Sequence, residues 1–285
     1  MPRGLMDALD VRIGRLISRR LPGDRRAAGV GAGLELAQLR PYVPGDDVRF
    51  LDPAATARTG HPHVRTHVPE RALISWILLD VSPSMAFGTA LRLKADVAEG
   101  VALALGQLGV RRAGSVATLA FGAGEPRLLA PRSARPAVAG LRRLLDDGVA
   151  GDGTHDPSAL AHALTRVGRL ASQPGLIAVI SDFREQEDWE RPLGALALHH
   201  SVLAVEVSDP REHELPAVGR VVLVDPETGE DTELDTGDRR VRKRFAALER
   251  ERRERVAAEL RRLRVEHLTV STDGPWLTEL GRQLR

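Results

Sequence analysis

An almost continuous apolar run over residues 72–79, closed by Asp80, is the strongest local signal in the chain. A strand covered by helices on both faces reads this way, because neither face calls for polar side chains. Residues 176–182 repeat the pattern and again end in a carboxylate, and residues 202–207 form a third such run. Helical spacing separates these runs at about 90–108 and 134–145, and in a helix opened by Pro157 that sets Leu160, Ala163, Leu164 and Val167 on one face. Residues 114–121 predict another strand, and 127–129 a short edge strand. Further on, residues 221–224 and 232–234 flank the turn-forming Pro226-Glu227-Thr228-Gly229. A long charged helix is expected over 239–263, a last strand over 266–270 and a closing helix over 277–284. Strands alternating with helices predict an α/β fold with a mostly parallel, Rossmann-like sheet.

The first 70 residues read differently. Leu5, Leu9, Ile13, Leu16 and Ile17 recur at helical spacing, with Arg12, Arg15, Arg19 and Arg20 around the rest of the turn. This is a basic amphipathic helix whose apolar stripe is expected to pack on the main domain. With no Trp or Phe anchor, membrane-surface contact through residues 5–20 is the weaker reading. Residues 29–58 are rich in Gly, Pro and Asp without sustained period, and Val64 and Val68 lead into the first strand. Too few apolar residues are present for a separate core, so 1–70 is expected to be an extension lying against a main domain of 71–285.

Composition narrows the chemistry. The 285 residues contain no cysteine, which excludes a disulfide scaffold, a thiolate metal site and a thiol nucleophile. Basic and acidic residues number 41 and 39, for a net charge of +2, and all but Lys94 and Lys243 of the basic set are arginine. No apolar stretch approaches the roughly 18 to 20 residues of a membrane span. Nor does the N-terminus show an export signal, so a cytoplasmic protein is expected. The basic helix over 239–264, with Val241, Phe245, Leu248, Val256 and Leu260 at helical spacing, is read as an outer helix with a salt-bridged back. Five Phe, three Trp and one Tyr leave little for stacking on bases, and no nucleic-acid partner is expected.

Open α/β sheets gather ligands at the carboxyl ends of their strands, where this chain puts its unusual residues. The first strand runs into Asp80-Val81-Ser82-Pro83-Ser84, the loop before Pro157 supplies Thr154, and the run over 176–182 ends in Asp182. Two carboxylates and three hydroxyls are hard oxygen donors, which suits Mg²⁺, or else Mn²⁺. The two aspartates balance a divalent ion. If they bind through water, the first shell stays neutral and one position stays open to an outside carboxylate. By itself, Asp-x-Ser-x-Ser after a strand is also a common helix-capping pattern.

The pattern resembles the metal-ion-dependent adhesion site of von Willebrand factor A domains, in which Asp80, Ser82, Ser84, Thr154 and Asp182 would be the five site positions. The stretch Leu39-Arg40-Pro41-Tyr42-Val43-Pro44-Gly45-Asp46-Asp47-Val48-Arg49 is similar to the signature preceding such a domain in the bacterial domain of unknown function 58 family. Ala57-Arg58 and Asp225-Pro226-Glu227-Thr228-Gly229-Glu230 fit the same family, and the resemblance spans essentially the whole chain. One departure is Pro53 after Asp52, where the family usually has tryptophan, which weakens any docking role for that loop. The resemblance implies a metal-dependent interaction module working with a MoxR-type AAA+ ATPase, or that ATPase's client, in a chaperone-like or cofactor-insertion assembly. The alternative is a Mg²⁺-dependent hydrolase using the same cluster, with Asp152 or Asp156 as base.

Three other features have simpler readings. His61, His63 and His67 could serve zinc but fit a polar strand face beside Pro62. His199-His200 is expected at a strand start. The glycines at 29, 31 and 33 lack both the preceding strand and the following Lys-Ser/Thr of a phosphate loop.

Overall fold

The computed structural model describes residues 6–7, 10–11, 13–15, 38–66, 74–89, 91–111, 114–122, 124–151, 156–184 and 188–283. Contacts divide the chain into two compact units, residues 24–72 and residues 1–23 with 73–285. This differs from an extension spanning 1–70. Met6 and, from the amphipathic stripe, Ile13 are buried in the core of the larger unit, while Leu5, Leu9, Leu16 and Ile17 lie outside the described residues.

In the smaller unit, β1 (Gln38–Pro41) pairs antiparallel with β2 (His63–Thr66), and α1 (Pro53–Thr59) lies between them in sequence. No helix was expected at α1. Asp52 starts it by accepting a hydrogen bond from the Ala55 N–H at 2.8 Å, and Pro53 takes the first helical position, where its missing N–H costs nothing. Proline here therefore has a local structural use that tryptophan would not supply. Arg40 grips Asp46 through two bonds of 2.7 and 2.6 Å, and Asp47 pairs with Arg49 at 2.6 Å, so the charged residues of the 39–49 stretch fold that loop upon itself.

In the larger unit a six-stranded sheet has the order β10-β7-β6-β3-β4-β5. Its strands are β3 (Ile74–Asp80), β4 (Ser115–Phe121), β5 (Arg127–Ser133), β6 (Leu176–Ser181), β7 (Ser201–Ser208) and β10 (Glu266–Ser271). All neighbours are parallel except the edge strand β5, which is antiparallel to β4 and longer than expected. This is the mostly parallel, helix-flanked sheet that the alternation of strands and helices predicts. Along β3 the side chains alternate between two cores. Ile77 and Leu79 join α2 (Lys94–Arg111), α3 (Ala134–Leu145) and α7 (Trp276–Gln283). Trp76 and Leu78 join α4 (Ala159–Leu170), α5 (Glu190–His199) and α6 (Arg239–Arg262). Each aliphatic side chain so buried contributes about 1.5–3 kcal/mol, which is why a strand apolar on both faces can only be central.

Helix α5 was not foreseen, and it corrects the placement of His199, which ends this helix rather than starting a strand. Its apolar face of Leu193, Leu196 and Ala197 is short, and Pro192 in its first turn masks the helical pattern. A separate two-stranded hairpin, β8 (Arg220–Val224) with β9 (Asp231–Asp235), matches the turn chemistry read at 225–230.

Candidate functional site

From β3 the chain crosses to β4 on one side, while β6 lies on the other, so the connections part at the adjacent carboxyl ends of β3 and β6. That is the topological switch point at which open α/β sheets bind ligands. Asp80, Ser82, Ser84 and Asp182 all sit there and are buried. Thr154 lies outside the described residues, as does Asp152.

Asp80 is held from two sides. Its Oδ1 accepts from the Ser82 N–H at 2.9 Å and its Oδ2 from the Ser181 hydroxyl at 2.6 Å. The Ser82 and Ser84 hydroxyl oxygens are 3.1 Å apart. Gly122, at the end of β4 with φ of 95°, lets the strand pass close to this loop, since a Cβ there would lie 2.8 Å from the Ser82 backbone nitrogen. Directly after Asp182, Phe183 takes a left-handed conformation with a φ of 52°. That conformation is braced by the Phe183 N–H donating to Ser181 Oγ at 3.0 Å and by the ring's edge-on packing against Trp189.

Sequence reasoning missed the side chain that meets Asp182. Lys94, at the start of α2 and fully buried, donates to Asp182 Oδ2 and Glu212 Oε1, each at 2.6 Å. The signal was present, because Lys94 is one of two lysines in an arginine-rich chain. Around it Arg184 bonds Glu212 and Glu249, and Arg252 bonds Glu249 and Glu206. Three cations thus face four carboxylates, Asp182 and the three glutamates. The charge balance drawn from two aspartates alone was incomplete, because Asp182 is already paired with Lys94, an ammonium it shares with Glu212. Among the described residues, no cation lies within ion-pair distance of Asp80.

The two aspartates are driven apart. Burial, reinforced by Asp182, pushes the Asp80 carboxyl up to about 7 against the hydrogen bonds from Ser181 and Ser82. Burial also acts upward on Asp182, but Lys94 and then Arg184 hold it down to about 2. In the metal-free protein Asp80 therefore stabilises the fold below about pH 4, and that stability is lost as pH rises through about 7. Asp182 stabilises above about pH 4, a contribution lost as pH falls through about 2. Asp80→Asn should remove the first slope. Urea midpoints of the metal-free proteins should diverge in favour of the variant by about 2 kcal/mol between about pH 5 and pH 8. A difference that does not change with pH would mean that Asp80 carries no uncompensated charge.

The donor set suits a small, hard cation. Two cis ligands of an octahedral Mg²⁺ at about 2.1 Å stand about 3 Å apart, close to the separation of the two serine oxygens. A buried carboxylate without a counter-ion is the group such a cation would satisfy. No cluster of three or more His, Asp or Glu side chains is arranged as a metal cage among the described residues, so the hydroxyls are essential to this fit. His63 instead shares its Nδ1 with the Thr59 hydroxyl and the His61 carbonyl, and His67 lies outside the described residues, as do the glycines at 29–33. Asp156 is exposed and accepts from the Ser158 N–H at the start of α4. Among the described residues, no helix is long and apolar enough to cross a membrane.

A family described as "Protein of unknown function DUF58" matches residues 38–255. An uncharacterized protein of Mycobacterium tuberculosis is 39% identical over 270 residues, covering 92% of this chain and 82% of that protein. Among solved structures, the conserved hypothetical protein BatB from Bacteroides thetaiotaomicron aligns with a TM-score of 0.46 and 16% identity, over 75% of this chain and 97% of the other. The SpRpn10 VWA domain aligns with a TM-score of 0.42 and 14% identity, over 74% and 95%.

Proposed function

The chain belongs to the DUF58 family, and from that premise we propose that it is a protein-interaction module that docks an acidic side chain of its partner through Mg²⁺ or Mn²⁺. Its family and its von Willebrand factor A-type fold suggest an interaction module. The observation that carries the metal reading is the meeting of Asp80, Ser82, Ser84 and Asp182 at one buried point, with two hydroxyl oxygens 3.1 Å apart and, among the described residues, no cation paired with Asp80. Ser82 and Ser84 would contact the ion directly and the aspartates directly or through water, with Thr154 as the fifth group. The bound ion would supply a Lewis-acid position for a carboxylate from outside. Ser181 and the Ser82 N–H orient Asp80, while Lys94 and the Arg184 N–H orient Asp182. In a cleft shielded from water such a contact is several times stronger than at an open surface.

The partner proposed is a MoxR-type AAA+ ATPase or its client, within the cytoplasm. Co-sedimentation of the purified chain with the MoxR-type ATPase of the same organism, in Mg²⁺ and in EDTA, tests the reading. Binding in Mg²⁺ that disappears in EDTA is expected. Binding that survives EDTA undiminished would exclude this site and favour the basic face of α6.

A further inference from the structure

The β8–β9 turn brings its own carboxylate to the site. Glu227 Oε1 accepts a hydrogen bond from the Ser84 N–H at 3.0 Å, across 143 positions of sequence. The side chain is half-buried, and Asp182 lies near enough to repel it. No ion pair to Glu227 occurs among the described residues, so the Ser84 N–H, and no cation, holds this carboxylate beside Asp182. The turn is nevertheless built to hold it. Asp225 accepts from the Glu227 N–H at 2.9 Å, the Gly229 N–H donates to the Asp225 carbonyl at 2.7 Å, and Gly229 takes a φ of 73°.

The strands carrying this turn are loosely held. Neither β8 nor β9 contains a buried residue, and Val222 and Val224 are exposed. The hairpin is fastened at its base, where the buried Thr236 hydroxyl donates to the Gly219 carbonyl at 2.8 Å and accepts from the Val218 N–H at 3.2 Å. A firm base with a lightly packed arm is the arrangement of an element that swings at low cost.

We propose that Glu227 is the chain's own occupant of the carboxylate position beside Ser84, so that an acidic partner docks by displacing the β8–β9 turn. This rests on the metal reading above and changes its mechanism, because the position is guarded from within. If the closed turn outnumbers the open one by about ten to one, an outside carboxylate binds about tenfold more weakly than to an unguarded site. Selectivity follows as well: a partner that also engages the released hairpin recovers the loss, and a stray carboxylate does not.

The test uses the full chain, wild type and Glu227→Gln, loaded with Mn²⁺ and followed by water-proton relaxation during titration with the side-chain carboxylate of N-acetylglutamate amide. The variant keeps the turn's backbone bonds and differs by one charge. The expected result is Mn²⁺ binding by both proteins, more exchangeable water on the variant's ion, and a carboxylate response at about tenfold lower concentration in the variant. Equal responses from two Mn²⁺-binding proteins would overturn the internal occupant and leave the metal site standing. Loss of Mn²⁺ from the variant alone would make Glu227 a required ligand and overturn displacement. Absence of Mn²⁺ from both would overturn the metal reading and this inference with it.

Discussion

Mn²⁺ at about one hundred times its dissociation constant should raise the melting temperature of the wild-type chain by about 5–10 °C, and Asp80→Ala should erase the shift. A ligand that binds only the folded state at that excess adds about 2.7 kcal/mol, and a domain of this size moves about 2–4 °C per kcal/mol. The dependence on Asp80 is steep because both its oxygens are already placed, by the Ser82 N–H and the Ser181 hydroxyl, with no described cation to balance the charge. Alanine removes that charge and leaves the Ser181 hydroxyl without its acceptor. Calorimetric titration should show binding heat for wild type and none for the variant. If both titrations are flat and neither melting temperature moves, the cluster holds no metal.

Lys94→Met should cost about 3–5 kcal/mol, the typical consequence of leaving a buried charge unpaired. The ammonium is fully buried between Asp182 and Glu212, whose side chains are 4% and 10% exposed. Burial alone would draw the Lys94 ammonium down, yet the two carboxylates raise it above its ordinary value, so it stays charged throughout the stable range. Methionine has nearly the same length and packs against the same apolar stem, so the cost isolates the charge. Asp182→Asn in the same background should recover part of it, because the two changes share one interaction and do not add. Guanidinium unfolding of the three proteins checks this. A cost below about 1 kcal/mol for Lys94→Met would mean that water, not the ammonium, satisfies the two carboxylates.

The central strands were legible because burial on both faces leaves a mark that needs no tertiary information: only a middle strand of a helix-covered sheet tolerates residues such as Trp76 through Leu79 in succession. Asp80, Ser82 and Ser84 were legible as chemistry for the same local reason, being adjacent in sequence at the end of such a strand. Asp182 could be placed with them because the carboxyl ends of parallel strands share one edge of the sheet. Helix α5 and helix α1 escaped, the first because Pro192 breaks up a short apolar face and the second because a seven-residue helix has too few turns to show a period.

What the sequence by itself determined is therefore the buried strands of the sheet and the oxygen donors that end them, Asp80, Ser82, Ser84 and Asp182, since each follows from a pattern shorter than about a dozen residues. Tertiary structure alone decided the electrostatics of that edge. Lys94 reaches Asp182 across 88 positions and Glu227 reaches Ser84 across 143, and separations of that size carry no periodic trace. Coulomb energy depends on distance in space and on the exclusion of water, and neither exists until the chain has closed. Hence two aspartates that look alike in sequence take opposite states, Asp182 paired and ionised against Lys94, Asp80 buried with no counter-charge among the described residues.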